Sequence, residues 1–311
     1  MTRVLFSLLI HEEPDVVLDQ LNNILYFNPN SYVVIHINHK FTIGKSKISL
    51  EQMVQIIKKK YKRVYINPIR SNVSHCNIIQ AHISNFYSFP SDFDYFYFVA
   101  SNELFLKYGA ENFVSNYDYG CESKINDKWY YINNMKEDIG LIKIQSMIKS
   151  NQYYYSQIEG SFYSKKIMTH IVDIICRCYN CENDQNVVYP REEVYFSTIA
   201  RNIYKTCRTF DSCLCKIRWQ GKILFTSLSS IKKVLKSSCL FSVKRVDRKL
   251  NDYLRSYIRD KKVKYVVSDE LKPYVVEQSY IKICIKNMYF KTIYFFRNIL
   301  AKTYRCVFKK R

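Results

Sequence analysis

The chain has 311 residues, of which 48% are hydrophobic, so it can bury a sizeable core and is not a disordered protein. Lysine and arginine outnumber aspartate and glutamate by 48 to 27, and the resulting net charge of +21 predicts a polyanionic partner: nucleic acid, an anionic membrane or a phosphorylated small molecule. No apolar run approaches the ~18 residues of a membrane span, and no signal-peptide pattern is visible. The odd number of cysteines, eleven, favours free thiols in a reducing compartment over a disulfide framework.

The first hundred residues alternate between strand and helix patterns. Strands are predicted at 3–11, 31–38, 63–67 and 94–101, and helices at 15–27, 50–61 and 73–87. This alternation predicts an α/β fold with a mostly parallel central sheet that binds ligands at the carboxyl ends of its strands. We therefore expect residues 1–104 to form a nucleotide-binding half.

The rest of the chain divides into a looser region and a basic tail. Between 102 and 158 the sequence is polar and aromatic without a clear period, which is typical of functional loops. Further elements are predicted at 160–178, after Pro190, and at 216–219, 222–227, 229–238, 240–246 and 248–262. We expect 105–277 to form the acceptor-binding and catalytic half of a single domain, 1–277, and 278–311 to form a separate tail.

The segment from 280 to 311 carries nine lysine or arginine residues and no acidic residue, interleaved with aromatic and aliphatic side chains. This pattern predicts a basic amphipathic helix that lies in the interface of an anionic membrane. The alternatives are a solvated basic face, or aliphatic side chains that pack on the catalytic domain and leave a basic rim. The membrane interpretation predicts a cytoplasmic protein attached peripherally to the inner face of the membrane.

Several common catalytic and metal-binding patterns are missing from the sequence. There is no GxGxxG, P-loop or HExxH, so a dehydrogenase, a P-loop enzyme and a zinc peptidase lose their usual support. Asp92 and Asp94 form a DxD pair, but they precede a predicted strand, whereas a divalent cation needs carboxylates at the ligand end of the sheet. The cysteines between 176 and 215 match no common zinc spacing. We therefore expect neither a metal nor a cofactor.

Six segments, in chain order, carry a family resemblance: LLIHEEPDVVLDQLNNI, YVVIHINHK, FVASNELFLK, QIEGSFYSKKI, PREEVYFSTI and SSCLFSVKRVDRKLNDYL. Together they resemble the core-2/I-branching β-1,6-N-acetylglucosaminyltransferase family, whose relatives include the protein xylosyltransferases and many bacterial members. The resemblance spans about residues 3–258. It implies a GT-A-like domain that transfers a sugar, GlcNAc or a related one, with inversion and without a metal. The donor would be a nucleotide sugar, UDP-linked, and the acceptor a saccharide hydroxyl in surface-glycan synthesis.

The resemblance also implies a catalytic glutamate. In the family it lies five residues before a threonine, which here gives Glu193, counted back from Thr198. A carboxylate suits this role because a sugar hydroxyl is a poor nucleophile until a base accepts its proton. Pro190 lies one residue further from Glu193 than the family spacing allows, so Glu192 remains the second candidate. A purely structural alternative is that both acids complement the dipole of a helix start.

Basic residues are implied as ligands of the donor diphosphate. Lys244 falls on the diphosphate-binding lysine of the family, with Arg245 beside it, although a solvated basic face would look similar. The second basic ligand of the family falls at Gly221, so Lys222 or Arg218 would have to substitute for it. Lysine and arginine can stabilise a departing diphosphate in place of Mg²⁺.

The remaining site residues implied by the resemblance lie at the nucleotide and acceptor ends. His11, Asn38 and Ser101 are implied as donor ligands, with Asn38 in place of the family's aspartate. Glu103 and Trp219 are implied as acceptor ligands, because Glu103 can supply a displaced acid and an indole face packs on sugar rings. His11 fits a structural histidine equally well, and Trp219 fits a core position.

Two other functions compete with sugar transfer. A basic protein with 28 tyrosines and 19 phenylalanines can bind nucleic acid by stacking, but most of these residues lie within apolar strand and helix patterns, so we expect no nucleic-acid partner. Departures from the family at Asn38, Asn102 and Glu103 leave an inactive, partner-binding relative as the other alternative. Because Glu193 and Lys244 are retained, we expect an active enzyme. Its partners would be a nucleotide sugar, a saccharide acceptor that is lipid-linked if the protein docks on a membrane, and that anionic membrane.

Overall fold

The computed structural model describes residues 1–41, 44, 46–73, 77–123, 131–179, 189–215, 226–262, 265 and 267–308. Strands and helices alternate over the first hundred residues, as expected. These elements are β1 (Val4–Ile10), α1 (Pro14–Phe27), β2 (Tyr32–Ile37), α2 (Leu50–Lys60), β3 (Val64–Ile66), α3 (Ile78–Ser88) and β4 (Tyr95–Val99).

The second part of the chain contains shorter strands and more helices. These elements are β5 (Glu103–Phe105), α4 (Ala110–Val114), β6 (Tyr119–Gly120), α5 (Ile132–Lys136), α6 (Ile139–Met147), β7 (Phe162–Ser164), α7 (Lys165–Cys178), α8 (Glu192–Ile203), β8 (Thr209–Phe210), β9 (Leu214–Cys215), α9 (Leu228–Lys236), β10 (Ser242–Lys244), α10 (Tyr253–Ser256) and α11 (Tyr280–Phe308). A π-helical turn at Tyr257–Lys262 continues α10. The strands predicted at 216–219 and 222–227 fall outside the described residues, apart from Thr226 and Ser227, which belong to no strand.

In the described part of the chain, a seven-stranded central sheet has the order β3-β2-β1-β4-β7-β6-β8. Strands β1 to β4 are parallel, β7 runs antiparallel to β4 and β6, and β8 is parallel to β6. The predicted α/β fold with a mostly parallel sheet is confirmed. The order of the four parallel strands is that of a Rossmann-type half sheet, in which ligands bind beyond the carboxyl ends of the strands.

Helices cover both faces of this sheet, which explains why β1 reads VLFSLLI rather than as an alternation of apolar and polar residues. Phe6 and Leu8 belong to one apolar cluster with residues of α1 and α2. Leu5 belongs to a second cluster with residues of α3, α6, α7 and α8. Successive side chains of a strand point to opposite faces, so one strand contributes to both cores.

A second, smaller sheet brings a distant segment to the ligand edge. Within the described residues its order is β5-β10-β9, with β10 antiparallel to β5 and Lys244 opposite Glu103. Because β5 follows β4 almost directly, this pairing places the residues after β10 next to the carboxyl end of β4. The segment expected to bind phosphate thus lies beside the four parallel strands.

A buried ionic cluster ties the C-terminal region to the first helix. Asp19 Oδ2 of α1 accepts a hydrogen bond from Arg255 Nη1 at 2.8 Å. Asp19 Oδ1 accepts hydrogen bonds from Tyr265 Oη at 2.8 Å and from Arg259 Nη1 at 3.4 Å. Buried charges of this kind require paired, hydrogen-bonded partners. The cluster therefore fixes α10 and the turn that follows it against α1.

Among the side chains of α11 that the structure describes, those that pack on the domain lie on one face of the helix. Ile283 and Asn287 are buried, Asn287 Oδ1 accepts a hydrogen bond from Leu228 N at 3.4 Å, and Phe290 stacks on Tyr253 with ring centroids 5.6 Å apart. The opposite face exposes large apolar side chains: Ile281, Ile285, Met288, Phe295, Phe296 and Ile299. None of the described helices is both long and apolar enough to cross a bilayer.

Candidate active site

A cavity of about 970 Å³ opens at the carboxyl edge of the parallel strands. Its wall combines residues that follow β1, β2 and β4 with the start of α8 and the segment after β10. The wall contains four basic side chains: Lys40, Lys244, Arg245 and Arg248. A cavity of this size accommodates an organic ligand, and its basic wall favours an anionic one.

Glu12 organises the end of the cavity that follows β1. Its buried carboxylate accepts a hydrogen bond from Ser101 Oγ and lies 2.7 Å from Arg248 Nε and 3.2 Å from His11 Nε2. His11, Ser101 and Arg248 all line the cavity, so two of the predicted donor ligands meet here. Sequence reasoning missed Glu12, although an acid directly after an apolar strand was a usable signal.

Asn38, the third residue predicted at the nucleotide end, also lines the cavity. Its Oδ1 accepts hydrogen bonds from Lys40 N at 3.1 Å and Val73 N at 3.3 Å, and its Nδ2 donates to Val73 O at 3.4 Å. The side chain therefore holds the loop after β2 against the segment at Val73. This contact fixes Lys40 and Val73 in the cavity wall.

Glu103 does not line the cavity, contrary to the expectation that it binds the acceptor. It is fully buried, with Oε2 accepting the backbone N–H of Ala100 at 3.0 Å and Oε1 accepting Ser242 Oγ at 2.5 Å. Burial raises the pKa of this carboxyl to about 7. Glu103 instead joins the turn after β4 to β10, which places it out of reach of an acceptor.

Lys244 lines the cavity, where it forms an ion pair that the sequence did not predict. Its Nζ lies 2.6 Å from Glu159 Oε1, and both side chains are mostly buried. Burial disfavours the ionised form of Glu159, but the charge and hydrogen bond of Lys244 outweigh it and lower the pKa. Gly160 follows with a φ of +81°, and a Cβ there would lie 2.5 Å from Leu214 Cβ, so glycine is required and the backbone at Glu159 is held in place.

Arg245, predicted as the neighbour of Lys244 in the donor site, lines the same wall. Its φ is +66°, a conformation that non-glycine residues adopt at a cost on the order of 1–3 kcal/mol and mainly at functional sites. The next residue, Val246, donates its N–H to Asn102 O at 3.1 Å, which anchors the strained segment to the loop after β4. Burial lowers the pKa of the Arg245 guanidinium from its usual value.

The start of α8 places Glu192 in the cavity wall. This side chain is 5% exposed, and its Oε2 has no hydrogen-bond partner among the described residues. Burial, and then the charge of Glu193, raise its pKa well above the usual value of a glutamate. Glu193 is half-buried and is not part of the cavity lining. Adjacent residues on a helix point about 100° apart, which is consistent with Glu192 lining the cavity and Glu193 pointing away from it.

A buried cluster fixes the start of α8. Asp138 Oδ2 accepts hydrogen bonds from Arg191 Nε at 2.8 Å, Tyr189 Oη at 2.5 Å and Tyr195 Oη at 2.8 Å. Arg191 lies between Pro190 and the glutamates, so its insertion into this cluster sets which glutamate faces the cavity.

Thr198, the residue from which the catalytic glutamate was counted, has a structural contact. Its Oγ1 accepts a hydrogen bond from Tyr154 N at 2.9 Å and donates to Tyr154 O at 3.1 Å. Glu193 contributes to the same junction, because its backbone carbonyl accepts the N–H of Ser156 at 2.8 Å. The threonine therefore secures the chain beside α8 and does not by itself determine which glutamate meets a ligand.

Asp92 and Asp94 lie just before β4, at the opposite edge of the sheet from the cavity. Asp92 pairs with Arg3 Nη2 at 3.0 Å and Lys165 Nζ at 2.6 Å, and Asp94 Oδ2 accepts the N–H of Arg3 at 2.7 Å. The DxD pair is thus held in surface ion pairs. Within the described ranges, no group of three or more histidine, cysteine or acidic side chains is placed to hold a metal ion.

Three predicted site residues, Arg218, Trp219 and Lys222, lie outside the described residues, and their roles stay predictions. A scan against models of known protein families found no match, and a search among characterised proteins found no similar sequence. The fold, the cavity and the chemistry of the cavity wall are therefore the features that bear on function.

Proposed function

We propose that the protein is a GT-A-like, inverting and metal-independent glycosyltransferase. It moves a sugar, GlcNAc or a related one, from a UDP-linked donor to a saccharide hydroxyl in surface-glycan synthesis. The observation that carries this proposal is that the buried carboxylate of Glu192 lines the same cavity as the four basic side chains. The carboxylate suits an acceptor hydroxyl, and the basic groups suit a diphosphate leaving group.

We assign proton acceptance to Glu192, with Glu193 as its electrostatic neighbour. The acceptor hydroxyl transfers its proton to Glu192 while its oxygen bonds to the anomeric carbon of the donor sugar. The bond from that carbon to the diphosphate oxygen breaks, and its electron pair leaves with the nucleoside diphosphate. Glu192 must be ionised to act, and the raised pKa makes it a strong proton acceptor once it is.

The basic wall supports the leaving group. Lys244 ends β10, Arg245 and Arg248 follow it, and all three line the cavity. In a partly buried site their charges stabilise the negative charge that develops on a departing diphosphate, without a divalent cation. Arginine can in addition contact two phosphate oxygens at once.

Replacing Lys244 by alanine should weaken binding of UDP by about 1.5–3 kcal/mol, the usual scale of a hydrogen bond to a charged group. Lys236→Ala provides a matched control, because it removes the same charge from an exposed position on α9 outside the cavity lining. Isothermal titration calorimetry of both variants with UDP measures the difference. Equal UDP affinities for the two variants would exclude Lys244 as a diphosphate ligand.

The same proposal includes peripheral attachment to the inner face of an anionic membrane through α11. The exposed apolar side chains of this helix lie opposite its packed face, and Lys282, Lys286 and Lys291 flank them at the helical spacing. An apolar stripe between basic side chains fits the interface of an anionic leaflet, where each nearby lysine contributes about 1 kcal/mol. At a membrane the enzyme would meet a lipid-linked saccharide acceptor.

A further inference from the structure

The ion pair between Lys244 and Glu159 lies inside the cavity that we propose binds the diphosphate. Lys244 Nζ and Glu159 Oε1 are 2.6 Å apart, and their side chains are 14% and 20% exposed. The lysine best placed to meet a phosphate is therefore already in contact with a carboxylate of the same protein.

We propose that Glu159 is an internal competitor for the anion site. Its carboxylate forms an ion pair with Lys244 while the cavity is empty, and a phosphate-bearing ligand must displace this carboxylate to bind Lys244. The proposal depends on the proposed function only for the identity of the natural ligand. The displacement itself involves any phosphate-bearing anion that reaches Lys244.

The local geometry allows the side chain to move while the backbone stays. Gly160 N donates to Phe98 O at 2.9 Å, and the close approach of Leu214 and Ser212 to Gly160 holds the main chain. The second carboxylate oxygen of Glu159 lies 3.4 Å from Gln157 Nε2, which offers the displaced side chain a neutral partner. Displacement therefore requires a rotamer change at Glu159 and no rearrangement of the sheet.

The competition makes the site selective for highly charged ligands. A single carboxylate satisfies one contact of Lys244, whereas a diphosphate carries more negative charge and more acceptor oxygens. Such a ligand can contact Arg245 and Arg248 as well as Lys244, since all three line the cavity. Glu159 thus excludes anions with few charges and admits a diphosphate.

Calorimetric titration with inorganic pyrophosphate and with inorganic phosphate tests this inference on the full-length protein. In Glu159→Gln, Lys244 no longer has a charged competitor, so pyrophosphate affinity should rise by about tenfold or more. Inorganic phosphate, which the wild-type site should hardly bind, should gain at least as much. Glu159→Ala should change affinity in the same direction if the glutamine variant does not fold.

Two further variants separate displacement from a general change in charge. Asp247→Asn removes one negative charge from the wall of the same cavity and should change pyrophosphate affinity by less than about threefold, because Asp247 is exposed to screening by water and salt and Lys244 pairs with Glu159. Lys244→Met introduced into Glu159→Gln should remove the gain. An unchanged or weaker affinity in both Glu159 variants, or an equal gain in Asp247→Asn, would overturn the proposal.

These outcomes are distinct from those that test sugar transfer. If Glu159→Gln binds pyrophosphate more tightly but the protein cleaves no nucleotide sugar, the role of Glu159 as a competitor stands and the proposed function is rejected. If the protein transfers sugar but the Glu159 variants bind pyrophosphate no more tightly than wild type, the proposed function stands and the role of Glu159 as a competitor is rejected. A wild type and variants that all fail to bind pyrophosphate would reject Lys244 as an anion site.

Discussion

Glu192→Gln should lower the rate of sugar transfer by about a hundred- to ten-thousand-fold, the range that a positioned general base contributes. Glutamine keeps the shape of the side chain but cannot accept the proton of the acceptor hydroxyl. Binding of UDP should change by less than about threefold, because Glu192 does not contact the diphosphate in this account. Steady-state transfer assays and UDP titration of the same preparation measure the two effects separately.

Glu193→Gln is the matched control, and it also reveals the pH dependence of the base. Burial and the charge of Glu193 both raise the pKa of Glu192, so the rate should rise with pH as Glu192 loses its proton. Removing the charge of Glu193 lowers that pKa, and the rising limb of the pH profile should move to lower pH with most of the turnover retained. Loss of activity in Glu193→Gln together with normal turnover in Glu192→Gln would restore Glu193, the first assignment from the sequence, as the base.

Two glutamates introduced on the outer face of α11 should nearly abolish membrane binding. Ile285 and Ile299 are 60% and 44% exposed on the side of the helix opposite Ile283. Burying each in the interface contributes on the order of 1.5–3 kcal/mol, so Ile285→Glu/Ile299→Glu should reduce partitioning by about a hundredfold or more. Flotation with vesicles of equimolar phosphatidylglycerol and phosphatidylcholine measures this change, and wild-type binding should weaken with added salt.

The chain offers a close control for this experiment. Ile139 and Ile142 are exposed isoleucines on α6, so Ile139→Glu/Ile142→Glu changes composition and charge by the same amount away from α11. Deletion of 280–311 is less specific, because it also removes the buried Ile283 and Asn287. Equal flotation of the two double variants, with UDP binding intact in both, would contradict attachment through α11.

The first four strands were predictable because their signals are local. Strands β1 to β4 are apolar runs bounded by turn residues, and the predicted bounds differ from the observed ones by one or two residues. The two-residue strands β6, β8 and β9 were not predicted, because they exist only through pairing with distant parts of the chain. Sequence periodicity carries no information about such pairs.

The sequence predicted which segments line the cavity, but not which side chains of those segments point into it. His11, Asn38, Ser101, Lys244 and Arg245 all line one cavity, and their binding of a donor stays a prediction. A sequence motif cannot specify contacts that form only in the folded chain. The buried contact between Arg191 and Asp138 orients the start of α8 so that Glu192 lines the cavity, and no motif predicts that contact.

The remaining differences concern acids whose partners are distant in sequence. Glu103 is buried because β5 pairs with β10. Glu159 forms an ion pair with Lys244, Glu12 forms one with Arg248, and both of these basic side chains line the cavity. Only the folded structure shows which carboxylates are paired, buried or exposed to a ligand. Local sequence therefore identifies the candidate acids but does not distinguish their roles.

Cleavage of nucleotide sugars by the purified full-length protein, measured as UDP release in the presence of EDTA, tests the central claim most directly. The assay uses a set of UDP-linked sugars that includes UDP-GlcNAc, each with and without saccharide acceptors. We expect UDP release from at least one donor, unaffected by EDTA and lost in Glu192→Gln. No release from any donor would contradict sugar transfer, and release that EDTA abolishes and Mn²⁺ restores would contradict a metal-independent reaction and return Asp92 and Asp94 as candidates.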